Sequence, residues 1–272
     1  MDDKLQRRVQ RYGWDAAAPV YDCAWSKNLR PAHSALLDMV ALQPGMRVLE
    51  TACGTGLLTL RVADLIAPGG SLLATDISGE MIAETATRAA SVGLGNVKTA
   101  RMGGEELDVD DGVFDAALCA LGLMYVPNPI KALAEIRRTV KPGGRVAVAL
   151  WGERRNCGWA EIFPIVDAQV KSEVCPLFFS LGVPGALGAA MASAGLRKVD
   201  ERRHTAVLEF PSEGSLLSAQ IDAGAVALAA KRFSPDTRRE VETAFLASVS
   251  EYRRNDGSYG IPGEFVTAVA TH

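Results

Sequence analysis

Val48-Leu49-Glu50-Thr51-Ala52-Cys53-Gly54-Thr55-Gly56 is the stretch whose reading decides the fold. Its front half belongs to a short β-rich run, Arg47 to Thr51, introduced by the turn signal Pro44-Gly45. Leu57 to Ile66 follows with helical spacing, and Pro68-Gly69-Gly70 ends it. Glycines where a strand hands over to a helix let the backbone bend tightly and let a ligand approach without meeting a Cβ. A GxG alone is a common turn, and its place between strand and helix gives it meaning.

The alternation continues outward. Ser71 to Thr75 reads as a second strand ending in Asp76, and Ser78 is placed to cap a helix from Gly79 to Val92. Asn96 to Arg101 is a third strand, and Phe114 to Leu118 is a fourth behind the turn Asp110-Asp111-Gly112. Ile130 to Val140 is helical, Lys141-Pro142-Gly143-Gly144 turns, and Arg145 to Trp151 is a fifth strand. Strands and helices alternating at this spacing imply right-handed crossovers and a doubly wound, mostly parallel α/β sheet.

After Trp151 the alternation lapses. Trp159 to Ser180 is helical in part, and Pro184 to Ala194 is a helix ending at Gly195. Leu196 to Phe210 suits a sixth strand, Leu216 to Ala230 and Thr237 to Tyr252 are helices, and Glu264 to Ala270 is the final strand. No repeat or linker divides the 272 residues, so the chain reads as one domain.

Composition narrows the function classes. Hydrophobic residues make up 48% and charged residues 22%, ordinary for a globular protein, and the net charge of −3 argues against a partner as acidic as a long nucleic acid. Five scattered cysteines (Cys23, Cys53, Cys119, Cys157, Cys175) form no CxxC pair, which disfavours a zinc site or disulfide framework and leaves no metal to expect. The opening MDDKLQRRVQRYGWD is too charged for a signal peptide, and no apolar run reaches membrane-spanning length. A cytoplasmic protein is the expectation.

Asp76 ends the next strand twenty residues beyond Gly56, where a carboxylate can accept hydrogen bonds from two ribose hydroxyls. NAD would suit that geometry too. Its fingerprint, however, wants a third glycine where this chain has Thr59. Glu50 would also repel a pyrophosphate while attracting the ammonium of a methionine moiety, as in S-adenosylmethionine (SAM).

The segments VLETACGTG, LLATDIS and EELDVDDGVFDAALCALGLMYVPNPIKALAEIRRTVKPGGRVAVALW resemble the class I SAM-dependent methyltransferases, specifically the ubiquinone/menaquinone-biosynthesis-type group that methylates small molecules. The likeness is specific over residues 12–151 and general beyond. It implies a seven-stranded Rossmann-like sheet with a helical lid. Residues 1–45 would form an N-terminal helical cap, 46–151 the SAM-binding core, 152–255 the lid and acceptor region with the sixth strand, and 256–272 the final strand.

By the same resemblance Glu50, Gly54 and Gly56 surround the methionine part of the cofactor and Asp76 holds its ribose, with Ile77 and Met81 packed on ribose or adenine. Gly103 stands where relatives carry an adenine-reading Asp, which leaves the backbone amides of Gly104 and Glu105 to that task. Cys119 and Ala120 line the sulfonium by their main chain, and Tyr21, in a segment similar to the group's Tyr-Asp opening, lies over the cofactor. S-adenosylhomocysteine (SAH) would be the product.

Methyl transfer from a sulfonium asks mainly for alignment and exclusion of water, so no loud catalytic motif is required. Tyr125, where many relatives carry histidine, is the best-placed group to orient an acceptor; His33 is a second candidate, though an early-helix surface place suits it better. Trp25, Trp151, Trp159, Phe178 and Phe179 would build an apolar acceptor pocket, and the apolar helices of 152–255 read either as its wall or as a homodimer face. A methyltransferase acting on protein or nucleic acid would want a polar clamp after the fourth strand, where Cys119-Ala120-Leu121-Gly122 offers none.

Overall fold

The computed structural model describes residues 3–170 and 178–272. Seven strands, β1 (Arg47–Thr51), β2 (Ser71–Asp76), β3 (Val97–Arg101), β4 (Phe114–Ala120), β5 (Val140–Trp151), β6 (Arg197–Phe210) and β7 (Tyr259–Thr271), form one sheet in the order β3-β2-β1-β4-β5-β7-β6. Strands β1 to β5 run parallel, and β7 lies antiparallel to both β5 and β6. The expected doubly wound, mostly parallel sheet is present.

Alternation along the strands assigns the two faces. Val48, Ala116, Leu118 and Ala147 pack with α2 (Arg30–Val40) and α3 (Thr59–Leu65) on one side. Leu49, Ala117, Cys119, Val146 and Val148 turn to the other, against α5 (Pro129–Thr139) and α7 (Ala186–Ser193). Between them in sequence, α4 (Gly79–Ser91) is capped by Ser78, whose Oγ accepts from the Met81 amide at 3.1 Å, as the sequence suggests. An amino-terminal helix, α1 (Asp3–Trp25), packs on α4 and crosses the carboxyl ends of the strands.

The second half corrects several expected boundaries. β7 begins at Tyr259 rather than Glu264, because Tyr259 to Gly263, Pro262 included, pair with Phe210 to Ala206. The single helix expected over Leu216 to Ala230 is broken into α8 (Glu213–Leu217), a π-turn over Ser218–Asp222 and α9 (Ala227–Ala230). Arg238 holds Asp222 with two nitrogens at 2.7 and 3.0 Å, and the Ala223 amide reaches back to Ser218 O at 2.9 Å, which widens the turn. The next helix, α10, runs Pro235–Ser248 because Ser234 caps it, two residues earlier than expected and four shorter at its end. α6 (Ile162–Gln169) supplies the helical part of 159–180, while 171–177, with Cys175, lie outside the described residues.

Candidate functional site

The site stands at the carboxyl ends of β1, β2 and β4, the place where a doubly wound sheet opens a crevice. Glu50 is next to last in β1 and is 1% exposed; its Oε2 has no hydrogen-bond partner among the described residues. Burial, with Asp76 nearby, raises its pKa to about 8. A buried carboxylate oxygen left over in this way is a place for a cation.

The glycine loop after β1 is fastened from two sides. The Gly54 amide donates to Asp76 Oδ2 at 3.0 Å, and Thr85 of α4 donates to Gly54 O at 2.7 Å. Gly56 adopts φ +88°, and a Cβ there would stand 3.2 Å from Thr85. Asp76 uses its other oxygen on the Ser78 amide at 2.8 Å; burial still raises its pKa to about 6. Ala52 and Leu121, which follow β1 and β4, sit at φ +53° and +58°, a conformation non-glycine residues adopt mainly where function or packing holds them. Strain and close approach therefore gather at this crevice.

Helix α1 roofs it. Arg7, Gln10, Trp14 and Tyr21, spaced three, four and seven apart, share one face and line the cavity. Arg7 pairs with buried Glu105 at 2.5 Å, Ser78 donates to Asp15 at 2.6 Å, and Asp22 takes both Thr55 Oγ1 and Arg88. These bonds tie the roof to the glycine loop, to α4 and to the loop after β3.

The cavity encloses about 1100 Å³ of space, part of it open to solvent. Tyr21, Glu50, Gly54, Asp76, Ile77, Met81, Gly104, Glu105, Cys119 and Ala120 all line it, as do Tyr125 and His33. Gly56 stands just behind that wall, where it backs onto Thr85. His33 departs from the surface place its early-helix position suggests. It is buried rather than on the surface, because α2 packs its face on β5 and β7, and burial beside Arg61 lowers its pKa to about 4. Glu105 turns its carboxylate, not only its amide, to the site, accepting from the Asn128 amide at 3.1 Å as well as from Arg7. Burial, with Asp22 and Asp76 near, drives the Tyr21 phenol far above its ordinary value, so it stays a neutral donor.

A second, smaller cavity adjoins the first, about 450 Å³ of space with part of it open to solvent, and Trp14, Tyr21, Leu29, Leu121 and Tyr125 line both. Trp25, Trp151, Trp159 and Phe178 come together in it as expected, whereas Phe179 packs behind Phe178 with ring centroids 4.7 Å apart. None of its described lining residues is charged. Edge-on rings join neck to chamber, with Trp14–Tyr125 at 5.0 Å and Tyr125–Phe178 at 5.4 Å. Sequence reading missed Gln220, a polar residue in the apolar run LLSAQIDAGAVALAA, and the roof stripe of α1, whose spacing was there to be found. Among the described residues no group of His, Cys, Asp or Glu gathers as a metal site, and no helix is long and apolar enough to cross a membrane.

Residues 29–161 match the ubiE/COQ5 methyltransferase family. The nocamycin O-methyltransferase of Saccharothrix syringae is 28% identical over 218 residues, 75% of this chain and 78% of that protein. A ubiquinone/menaquinone biosynthesis C-methyltransferase of Ectopseudomonas mendocina is 33% identical over 128 residues, so the alignment spans 47% of this chain and 50% of the relative. Among solved structures the [4+2]-cyclase SpnF superposes with a TM-score of 0.65 at 20% identity, covering 98% of this chain and 96% of that one, which is a likeness of fold. The family match takes in 133 of the 272 residues and falls on the part of the sequence that builds β1, the glycine loop and the acidic ends of β1 and β2, so this part of the chain is a class I SAM-dependent methyltransferase cofactor half of the ubiE/COQ5 type.

Proposed function

We propose that this enzyme methylates a small, uncharged aromatic acceptor seated in the second cavity. The observation that carries the reading is the aromatic chamber itself, free of charged residues among its described walls and opening through the Tyr21–Tyr125 neck onto the cofactor cavity. The relative that aligns beyond the cofactor half is named as an O-methyltransferase, which supports an oxygen as the methylated atom.

SAM supplies a methyl group already activated on a sulfonium, so the protein's work is to bind, align and keep water out. Glu50 receives the ammonium of the methionine part through its unpartnered oxygen. Asp76 has lone pairs left for the ribose hydroxyls while it pins the Gly54 amide. Ile77 and Met81 pack on the nucleoside, and Tyr21 closes over it from α1. Tyr125, at the neck, orients the acceptor. His33 is a neutral imidazole at neutral pH; its depressed basicity fits a hydrogen-bond acceptor better than a general base. The acceptor oxygen would form its bond to the methyl carbon as that carbon's bond to the sulfonium sulfur breaks, with SAH leaving as the neutral thioether and the acceptor's proton passing out to solvent.

Calorimetric titration with SAM, SAH and NAD in parallel tests the cofactor assignment to these residues. Micromolar binding of the first two and none of NAD is expected; NAD alone would overturn it. Incubation with methyl-labelled SAM and a set of phenols, amines and peptides tests the acceptor class: label should enter uncharged phenols, and transfer only to charged amines or peptides would sink the proposal. Asp76→Ala is expected to weaken SAH binding by roughly 1–3 kcal/mol, the scale of lost hydrogen bonds to a charged group. It should lower Tm as well, since the Gly54 and Ser78 amides lose their acceptor. Tyr125→Phe should reduce turnover of the phenol more than SAH affinity, and an unchanged rate would return Tyr125 to the pocket wall.

A further inference from the structure

Two residues in the wall of the second cavity carry buried polar groups that its aromatic neighbours leave unserved. Gln220 is 3% exposed and Trp159 4% exposed, and neither Gln220 Nε2 nor Trp159 Nε1 has a hydrogen-bond partner among the described residues. Both line this chamber, and neither lines the cofactor cavity. They therefore stand beyond the neck where the reacting atom must lie. Their neighbour Trp25 shows the ordinary outcome for a buried indole here: its Nε1 donates to Ala223 O at 3.0 Å.

Gln220 owes its place to the π-turn at Ser218–Asp222, and such turns recur at functional sites. The bidentate grip of Arg238 on Asp222 keeps the turn in place from outside the chamber. A buried donor without a partner is costly, and a fold retains one where something else supplies the acceptor.

We infer that Gln220 and Trp159 are oxygen-reading donors of the acceptor chamber, and that the acceptor is an uncharged aromatic carrying a carbonyl or ether oxygen remote from the atom that is methylated. The inference rests on the chamber being the acceptor site. It adds the substrate's second functional group and the residues that recognise it. An amine or ammonium at that position has no described acidic residue to meet it, and a carboxylate or phosphate no described cation. A neutral oxygen is an acceptor suited to a donor of either kind.

The test compares 1-tetralone with tetralin, which differ by one carbonyl oxygen, in the presence and absence of SAH. Binding is read from quenching of the tryptophans in the chamber wall. The wild type is expected to bind tetralone about tenfold more tightly than tetralin, because the hydrocarbon leaves both donors unpaired. Gln220→Leu and Trp159→Phe should each reduce that preference and together remove it, without weakening tetralin. Gln220→Leu should keep or raise Tm, whereas a fall would reveal a structural partner for the amide and overturn its assignment. Equal wild-type affinity for the two probes overturns the inference and leaves the chamber reading standing. Binding of neither probe overturns both, while SAH titration reports separately on the cofactor site.

Discussion

Titrated with SAH at pH 7, the ligand-free protein should release close to one proton per molecule bound, and the Glu50→Gln variant should release almost none. The Glu50 carboxyl is buried and its pKa stands at about 8 before the ligand arrives, so it is mostly protonated at neutral pH. An ammonium placed against it favours the ionised form, and the proton leaves. Calorimetry in buffers of different ionisation enthalpy reads that proton directly. Affinity should rise from pH 6 to 8 and level off above, while Asp76, at about 6, contributes mainly at the acid end. Glu50→Gln should cost about 1.5–3 kcal/mol of SAH affinity, the range for a hydrogen bond to a charged group. Proton-neutral binding by the wild type at pH 7 would show that the ammonium does not sit there.

The same group sets a stability trend of opposite sense. Folded, Glu50 holds its proton up to about 8; unfolded, it gives it up near its ordinary 4.5. The folded state binds more protons across that window, so stability from this group is full below it and lost as pH rises through about 8. Thermal melts of the ligand-free wild type should fall from pH 6 to 9, and those of Glu50→Gln should fall less. Saturating SAH should flatten the wild-type curve.

A second large effect is expected from a single methyl group. A Cβ at Gly122 would lie 2.2 Å from the Ala52 Cβ and 3.4 Å from Cys119 Sγ, so the segments that follow β1 and β4 cannot both hold their places in Gly122→Ala. Overpacking of this kind costs about 1–3 kcal/mol, and Tm should drop by several degrees with SAH affinity falling alongside. Ala52→Gly removes the opposing methyl and the left-handed alanine at once. The double variant Gly122→Ala/Ala52→Gly should therefore recover most of both losses, a coupling two independent sites would not show. A Gly122→Ala protein as stable as wild type would refute the contact.

What the sequence disclosed and what it hid divide along one physical line. β1, its glycine loop, Asp76 and the Ser78 cap are written in local signals: apolar runs, turn residues and one capping side chain within a few positions of what they organise. The roof is not local. Asp22 meets Thr55 and Arg88 across 33 and 66 positions, and Arg7 meets Glu105 across 98, so no window of sequence shows that α1 is bolted to the cofactor cavity. His33 misled because its helix turns toward the sheet, which only tertiary packing decides. Gln220 lies inside the single helix expected over Leu216 to Ala230, and the i to i+5 bond that widens its turn leaves no trace in composition.

The place of β7 also sets an order of assembly. Among the described strands β6 pairs with β7 alone, and 49 positions of chain separate Phe210 from Tyr259. As the chain emerges from the ribosome, β1 to β5 can pair and close the glycine loop while β6 still has no neighbour. The β5 edge stays open until residues 259–271 follow, and with it stays unmade the stacking of Trp151 on Phe265, 4.4 Å apart, behind the aromatic chamber. A nascent molecule can thus assemble the sheet that grips the methyl donor before β7 and β6 arrive to finish it.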